Sequence, residues 1–173
     1  MTKMFAPILA FTCDEIWQAM PHRSGDDKRN VLLNEMNRPF AAYALSADEL
    51  EKWSDLISVR GDVNGVLEAA RADKRIGKPL EAAVTLRASG ESRGKLEKIS
   101  DMDLAELFIV SKCLISDDEV ADAVVGQGSE NASLTISVIE APGTKCPRCW
   151  MQTEKADPET GLCPRCAAVV AKL

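Results

Sequence analysis

Aromatic side chains are scarce in this sequence, 5% of 173 residues, and there is a single histidine, His22. His22 sits in Pro21-His22-Arg23-Ser24-Gly25, outside any paired-histidine phosphate motif, and is expected at the surface. No apolar run approaches the roughly 20 residues that cross a bilayer, which argues against a membrane partner. No charged lead-in followed by an apolar stretch marks export, so the expected compartment is the cytoplasm. Positive charge is also lacking: the formal net charge is -6, and any contact with a polyanion must come from a local patch. Gly126-Gln127-Gly128 has no strand-to-helix context, which excludes a phosphate-cradling loop and leaves a turn. With 46% apolar and 28% charged residues the chain is an ordinary globular one, long enough for one good core or two small ones.

What is present in strength is cysteine at a fixed spacing. Cys146-Pro147-Arg148-Cys149 and Cys163-Pro164-Arg165-Cys166 repeat one four-residue knuckle near the carboxyl end. Zn²⁺ takes four soft ligands in a tetrahedron at about 2.3 Å, and two C-x-x-C turns close that shell with no position left for a substrate. One structural zinc is therefore the expected cofactor. Each proline fixes φ inside its knuckle and lowers the entropy of the open chain. Two disulfides would suit a small secreted domain, but adjacent pairs make poor long-loop staples. A redox C-x-x-C should open a helix after a strand, and this doubled pair lies in too short a tail. His22 is over a hundred residues away and gives no support to a site of three cysteines and one histidine. Cys13 and Cys113 lie in apolar neighbourhoods and read as small buried hydrophobes in a reducing environment.

Along the chain, Phe5, Ile8, Leu9, Ile16, Trp17 and Met20 predict a turn at Pro7 and then a helix capped by Thr12, with Asp14 and Glu15 in its first turn and Pro21 ending it. So apolar an opening reads as a piece of a longer chain. A polar connection follows. The longest helical pattern starts at Ser46 as cap and runs from about Ala47 to Ile76, stopped by Gly77 and Pro79. Leu56, Val59, Val63, Val66 and Ala70 form its apolar stripe. Arg60, Arg71, Lys74, Arg75 and Lys78 fall about a quarter turn away, either a face for phosphates or a solvated face balanced by Glu68 and Asp73.

From Glu81 the period becomes two, predicting a strand to Ala88, then a short helix over Ser92–Ser100. Leu107-Phe108-Ile109-Val110 with Cys113-Leu114-Ile115 predicts a second, largely buried strand. Glu119–Val125 and Ala132–Ala141 flank Gly126-Gln127-Gly128-Ser129 as an antiparallel hairpin, and Asp117-Asp118-Glu119 is a solvated turn. The fold class is α+β: a helical opening, a long helix packed on a small mixed or antiparallel sheet, and a C-terminal four-cysteine zinc finger.

Four stretches together resemble the C-terminal end of bacterial-type isoleucyl-tRNA synthetases. They are Phe5 to Trp17, Leu67 to Ala82 through Lys74-Arg75-Ile76-Gly77-Lys78-Pro79, Leu107 to Ser111, and Lys145-Cys146-Pro147-Arg148-Cys149-Trp150 with the second cysteine pair. The resemblance implies three parts: the end of a helical anticodon-binding domain over 1–45, an α+β junction over 46–142, and the zinc finger over 143–173. It also implies that the parent enzyme is an ATP-dependent ligase joining isoleucine to its tRNA, with this region positioning the tRNA. The class I nucleotide-binding signatures and the editing domain are missing, so no catalytic residue is expected in the segment. The expected partners are the isoleucine-accepting tRNA and the rest of the synthetase chain, in a monomer. The residues expected to meet RNA are Lys145, Arg148, Trp150 and Arg165 of the finger and Arg60, Arg71, Lys74, Arg75 and Lys78 of the helix. Trp150 either offers a face to an unpaired base or packs over the metal site, and Arg148 and Arg165 either meet phosphates or neutralise the thiolates. A DNA-binding zinc module and a protein-interaction zinc ribbon are the competing functions.

Overall fold

A computed structural model describes residues 1–38, 40–100 and 102–172. The chain forms two compact units, Met1–Leu45 and Ser46–Leu173. Among the described residues no helix is long and apolar enough to cross a membrane.

The first unit holds α1 (Thr2–Phe5) and α2 (Ala10–Ala19), followed by short 3-10 turns at Val31–Leu33 and Ala41–Tyr43. Its small core is Ala6, Cys13, Trp17 and Val31. The Trp17 indole donates to the Asp27 carbonyl at 3.0 Å, and Asp14 accepts from the backbone of Val31 at 2.9 Å. These bonds tie the following loop to α2. Thr12 lies inside α2 and does not cap it; the cap position is Leu9, with no side-chain bond. His22 is not a plain surface residue either. Its ring lies 4.6 Å from that of Trp17, and its Nδ1 is buried without a hydrogen-bond partner.

The second unit is built on α3 (Ala47–Ala72). Ser46 and Glu49 close a capping box at its start. The expected stripe Leu56, Val59, Val63, Val66 and Ala70 is buried, joined by Leu67. The helix ends at Ala72, earlier than the pattern to Ile76 predicts. Lys74 takes a left-handed φ of 58°, Lys74 N–H bonds the Arg71 carbonyl and Arg75 N–H bonds the Ala70 carbonyl. That is a Schellman closure, and it stops the helix before Gly77 is reached.

The strands β1 (Ala82–Ala88), β2 (Lys112–Ile115), β3 (Val124–Gln127) and β4 (Leu134–Glu140) form one mixed sheet in the order β2-β1-β4-β3. β1 and β2 are parallel; β4 is antiparallel to β1 and to β3. Between β1 and β2 lie α4 (Gly90–Ile99) and α5 (Leu104–Phe108). Val84 pairs with Val138 and Leu86 with Ile136, all fully buried, so this face carries α3, α4 and α5 over one apolar core. Polar Thr85, Thr135 and Ser137 alternate onto the other face. The stretch Leu107 to Val110 is not strand. Leu107 and Phe108 finish α5, whose start is capped by Asp103, and Ile109 at φ 60° closes it with the Val110 N–H to Ala105 carbonyl bond.

The candidate metal centre and its surface

The remaining elements are β5 (Thr144–Lys145), β6 (Gln152–Thr153) and α6 (Pro164–Val170). β5 and β6 pair as a two-stranded ribbon around the first knuckle, and the second knuckle opens α6 with Pro164 at its first position. Gly143 enters the ribbon at φ 100°, where a Cβ would collide with the Thr153 carbonyl. Within the first knuckle, Trp150 N–H bonds the Cys146 carbonyl at 2.9 Å, and Cys146 N–H bonds that of Met151 at 2.9 Å.

These turns bring the four expected cysteines together. The Sγ atoms of Cys146, Cys149, Cys163 and Cys166 lie within 4.8 Å of one another, and Cys149 and Cys163 approach to 3.7 Å. A tetrahedron with metal–sulfur bonds of 2.3 Å has edges of about 3.8 Å, so the donor set fits a metal ion of that kind. Cys146, Cys163 and Cys166 are buried, and Cys149 is half-buried. The thiols differ in acidity. Burial opposes ionisation of Cys146, but backbone N–H groups of Cys149, Cys163 and Arg148 aimed at its sulfur bring it down to about 6. Cys166 is pushed up to about 11, by burial and then by the crowding of its neighbours' sulfurs. Four sulfurs at this spacing can all ionise only with a cation between them. The cluster can hold a metal ion.

Arg148 and Arg165 both face sulfur. Arg165 is held above its ordinary value by a hydrogen bond with Cys149, and its guanidinium reaches the Met151 sulfur at 3.7 Å. Arg148 interacts with Cys166 and favours its thiolate. Trp150 is 56% exposed at a left-handed φ of 67°, so its indole stands out from the knuckle. The Lys78 and Lys145 ammonium groups lie over this indole, at 5.8 and 5.9 Å from the ring centroid.

The five helix cations do not share one helical face, because α3 ends at Ala72. Arg60 is exposed on the helix, and Arg71 pairs with Glu68 at 2.8 Å. Arg75 pairs with Asp122 at 2.7 Å across the edge of the sheet. Lys74 holds the left-handed closing position, and Lys78 has swung to the finger.

Sequence reasoning passed over two further residues. The Ser111 hydroxyl donates to the Leu80 carbonyl at 2.5 Å and accepts from Gln152 N–H at 2.7 Å, joining the turn after α3, the start of β2 and the finger. Asp62, buried on α3, accepts from Ser129, Glu130 and Asn131. Its sequence signal was an acid within the apolar stripe; Ser111 gave none.

Residues 1–86 match the anticodon-binding domain of tRNA ligase. The isoleucine–tRNA ligase of Photorhabdus laumondii subsp. laumondii is 40% identical over 177 residues, which covers 99% of this chain and 18% of that protein. The isoleucine–tRNA ligase of Klebsiella pneumoniae is 37% identical with the same coverage. The chain thus spans about a fifth of the length of these relatives, end to end along its own sequence. Along its whole length the chain is thus similar to isoleucine–tRNA ligases, and over its first half to an anticodon-binding domain of tRNA ligase.

Proposed function

We propose that this segment binds the isoleucine-accepting tRNA and positions it for charging by the rest of an ATP-dependent synthetase chain, performing no chemical step itself. The observation that carries the reading is one chain holding both the match to an anticodon-binding domain over 1–86 and a four-thiol cluster beside an exposed indole. In this reading residues 143–173 are a finger held by one zinc, residues 46–142 a junction domain, and residues 1–45 the end of the helical domain. The parent works as a cytoplasmic monomer. Cys146, Cys149, Cys163 and Cys166 would hold the Zn²⁺, which would neutralise their thiolates and fix the two knuckles. Everything else is done by the surface. Lys145 meets phosphate, and the Trp150 indole stacks on an unpaired base of the anticodon region, a contact worth about 1–3 kcal/mol. Arg148 and Arg165 face the sulfurs, which supports a role in neutralising the cluster ahead of one in binding phosphate.

The test compares the zinc-loaded chain's affinity for an isoleucine-accepting tRNA transcript with that for duplex DNA at one salt concentration. Tighter binding to tRNA is expected, and Trp150→Ala should weaken it by about 5- to 150-fold, the equivalent of stacking one base, while zinc content stays at one per chain. Equal affinity for duplex would favour a DNA-binding module. Failure to bind either, with a protein partner retained, would favour an interaction ribbon. Amino-acid-dependent pyrophosphate exchange by the chain alone would refute the absence of chemistry.

A further inference from the structure

Lys78 lies outside the finger in sequence, yet its ammonium is as near the Trp150 indole as that of Lys145, which adjoins the first knuckle. Among the described residues neither lysine is in an ion pair. Backbone N–H groups and then both lysines lower the pKa of the nearby Glu81, but it forms an ion pair with neither. The Glu81 carboxylate accepts from Gly77 N–H at 2.8 Å and Lys78 N–H at 3.1 Å, fixing the turn that presents Lys78. Ser111 then fixes that turn to the finger through Leu80 and Gln152. Two cations from different parts of the fold are thus held around one exposed aromatic face, in a chain whose net charge is negative.

We propose that Lys78, Trp150 and Lys145 form one site for a single-stranded RNA step, in which the base lies on the indole and the two lysines take its flanking phosphates. This rests on the tRNA-binding reading and adds to it a recognition residue from outside the finger. A flat π surface selects a base, and two cations beside it select the anions that flank a base along a strand. A phosphopeptide offers the anion without the flat partner, and a duplex keeps its bases stacked away from the indole. In the free protein the ammonium groups rest against the ring. On binding they exchange that contact for phosphate while the base takes the indole face.

The experiment titrates two labelled probes, an isoleucine-accepting tRNA transcript and a single-stranded heptamer with its anticodon-loop sequence, against the zinc-loaded full chain over a range of salt. Lys78→Gln is expected to weaken both about three- to tenfold and to lower the slope of log affinity against log salt by about 0.7, the effect of losing one phosphate contact to a single strand. Lys78→Arg should restore affinity and slope. Lys78→Gln combined with Trp150→Ala should cost less than the product of the two single losses, because both act on one nucleotide. Unchanged zinc content and circular dichroism show that the variants fold. If Lys78→Gln leaves affinity and slope at wild-type values while Trp150→Ala weakens binding, or if the two losses multiply, the composite site is wrong and the tRNA-binding reading stands. If the wild-type chain binds neither probe, both fall.

Discussion

Asp62 is a charge inside an apolar stripe, and the surrounding residues show why it is tolerated. Burial would raise the pKa of its carboxyl, but the N–H groups of Glu130 and Asn131, the Asn131 amide and the Ser129 hydroxyl outweigh that and hold it below the usual carboxylate value. The bonds pin the loop between β3 and β4 to α3, and Gly128 passes so close that a Cβ there would meet Asp62 and the Asn131 carbonyl. A lowered folded value means the stabilisation is present above the unfolded value of about 3.9 and is lost as pH falls through the folded one. Asp62→Asn turns an amide donor toward these donors and should cost about 1–3 kcal/mol at pH 7. The gap to wild type in urea midpoint should shrink at pH 3. An equal gap at both pH values would mean that the carboxylate charge does not hold the loop. The acid in the stripe was visible in the sequence; its partners lie almost seventy residues on, and no local pattern could supply them.

Two elements were misjudged from sequence for one physical reason. A helix is expected to stop at glycine, because the closing residue takes the left-handed conformation that a Cβ disfavours. Here α3 closes on Lys74 and α5 on Ile109, both at positive φ, each with the paired bonds of a Schellman closure. So α3 ends before Gly77, and Leu107 and Phe108, apolar enough for a strand, finish a helix. Elsewhere the local chemistry and the structure agree. Ser46 with Glu49 starts α3, and the period-two run over 82–88 is β1. The strain at Lys74 gives a test at this scale. Lys74→Gly should relieve it and raise stability by up to about 1 kcal/mol, the cost of a Cβ in that conformation. The measurement is the chemical-denaturation midpoint. A drop of more than about 1 kcal/mol, the penalty for glycine within a helix, would show that residue 74 is helical and that α3 runs on.

Across the whole second unit, the core and the finger are separate clusters. The core of α3, α4, α5 and the sheet is continuous and apolar, whereas the finger's interior is its own cysteines with Leu162 against them. The clustering of the four cysteines was legible from spacing because a C-x-x-C knuckle is local. What spacing could not supply was the surface around it, since Lys78 and Ser111 reach the finger through the tertiary fold. A module this small has too little apolar interior to fold alone, and a structural zinc supplies on the order of 10 kcal/mol or more to such modules. Chelation should therefore unfold β5, β6 and α6, while the body keeps its sheet through bonds such as Ser111 N–H to the Ala82 carbonyl. Amide exchange followed by mass spectrometry should show protection lost over 143–172 and kept over β1 and β4. Because Lys78 is on the body and Trp150 on the finger, tRNA affinity should fall with the metal even though the body remains folded. Loss of protection in β1 and β4 on chelation would show that the finger is part of the core, and retained tRNA affinity would move the binding surface to the body.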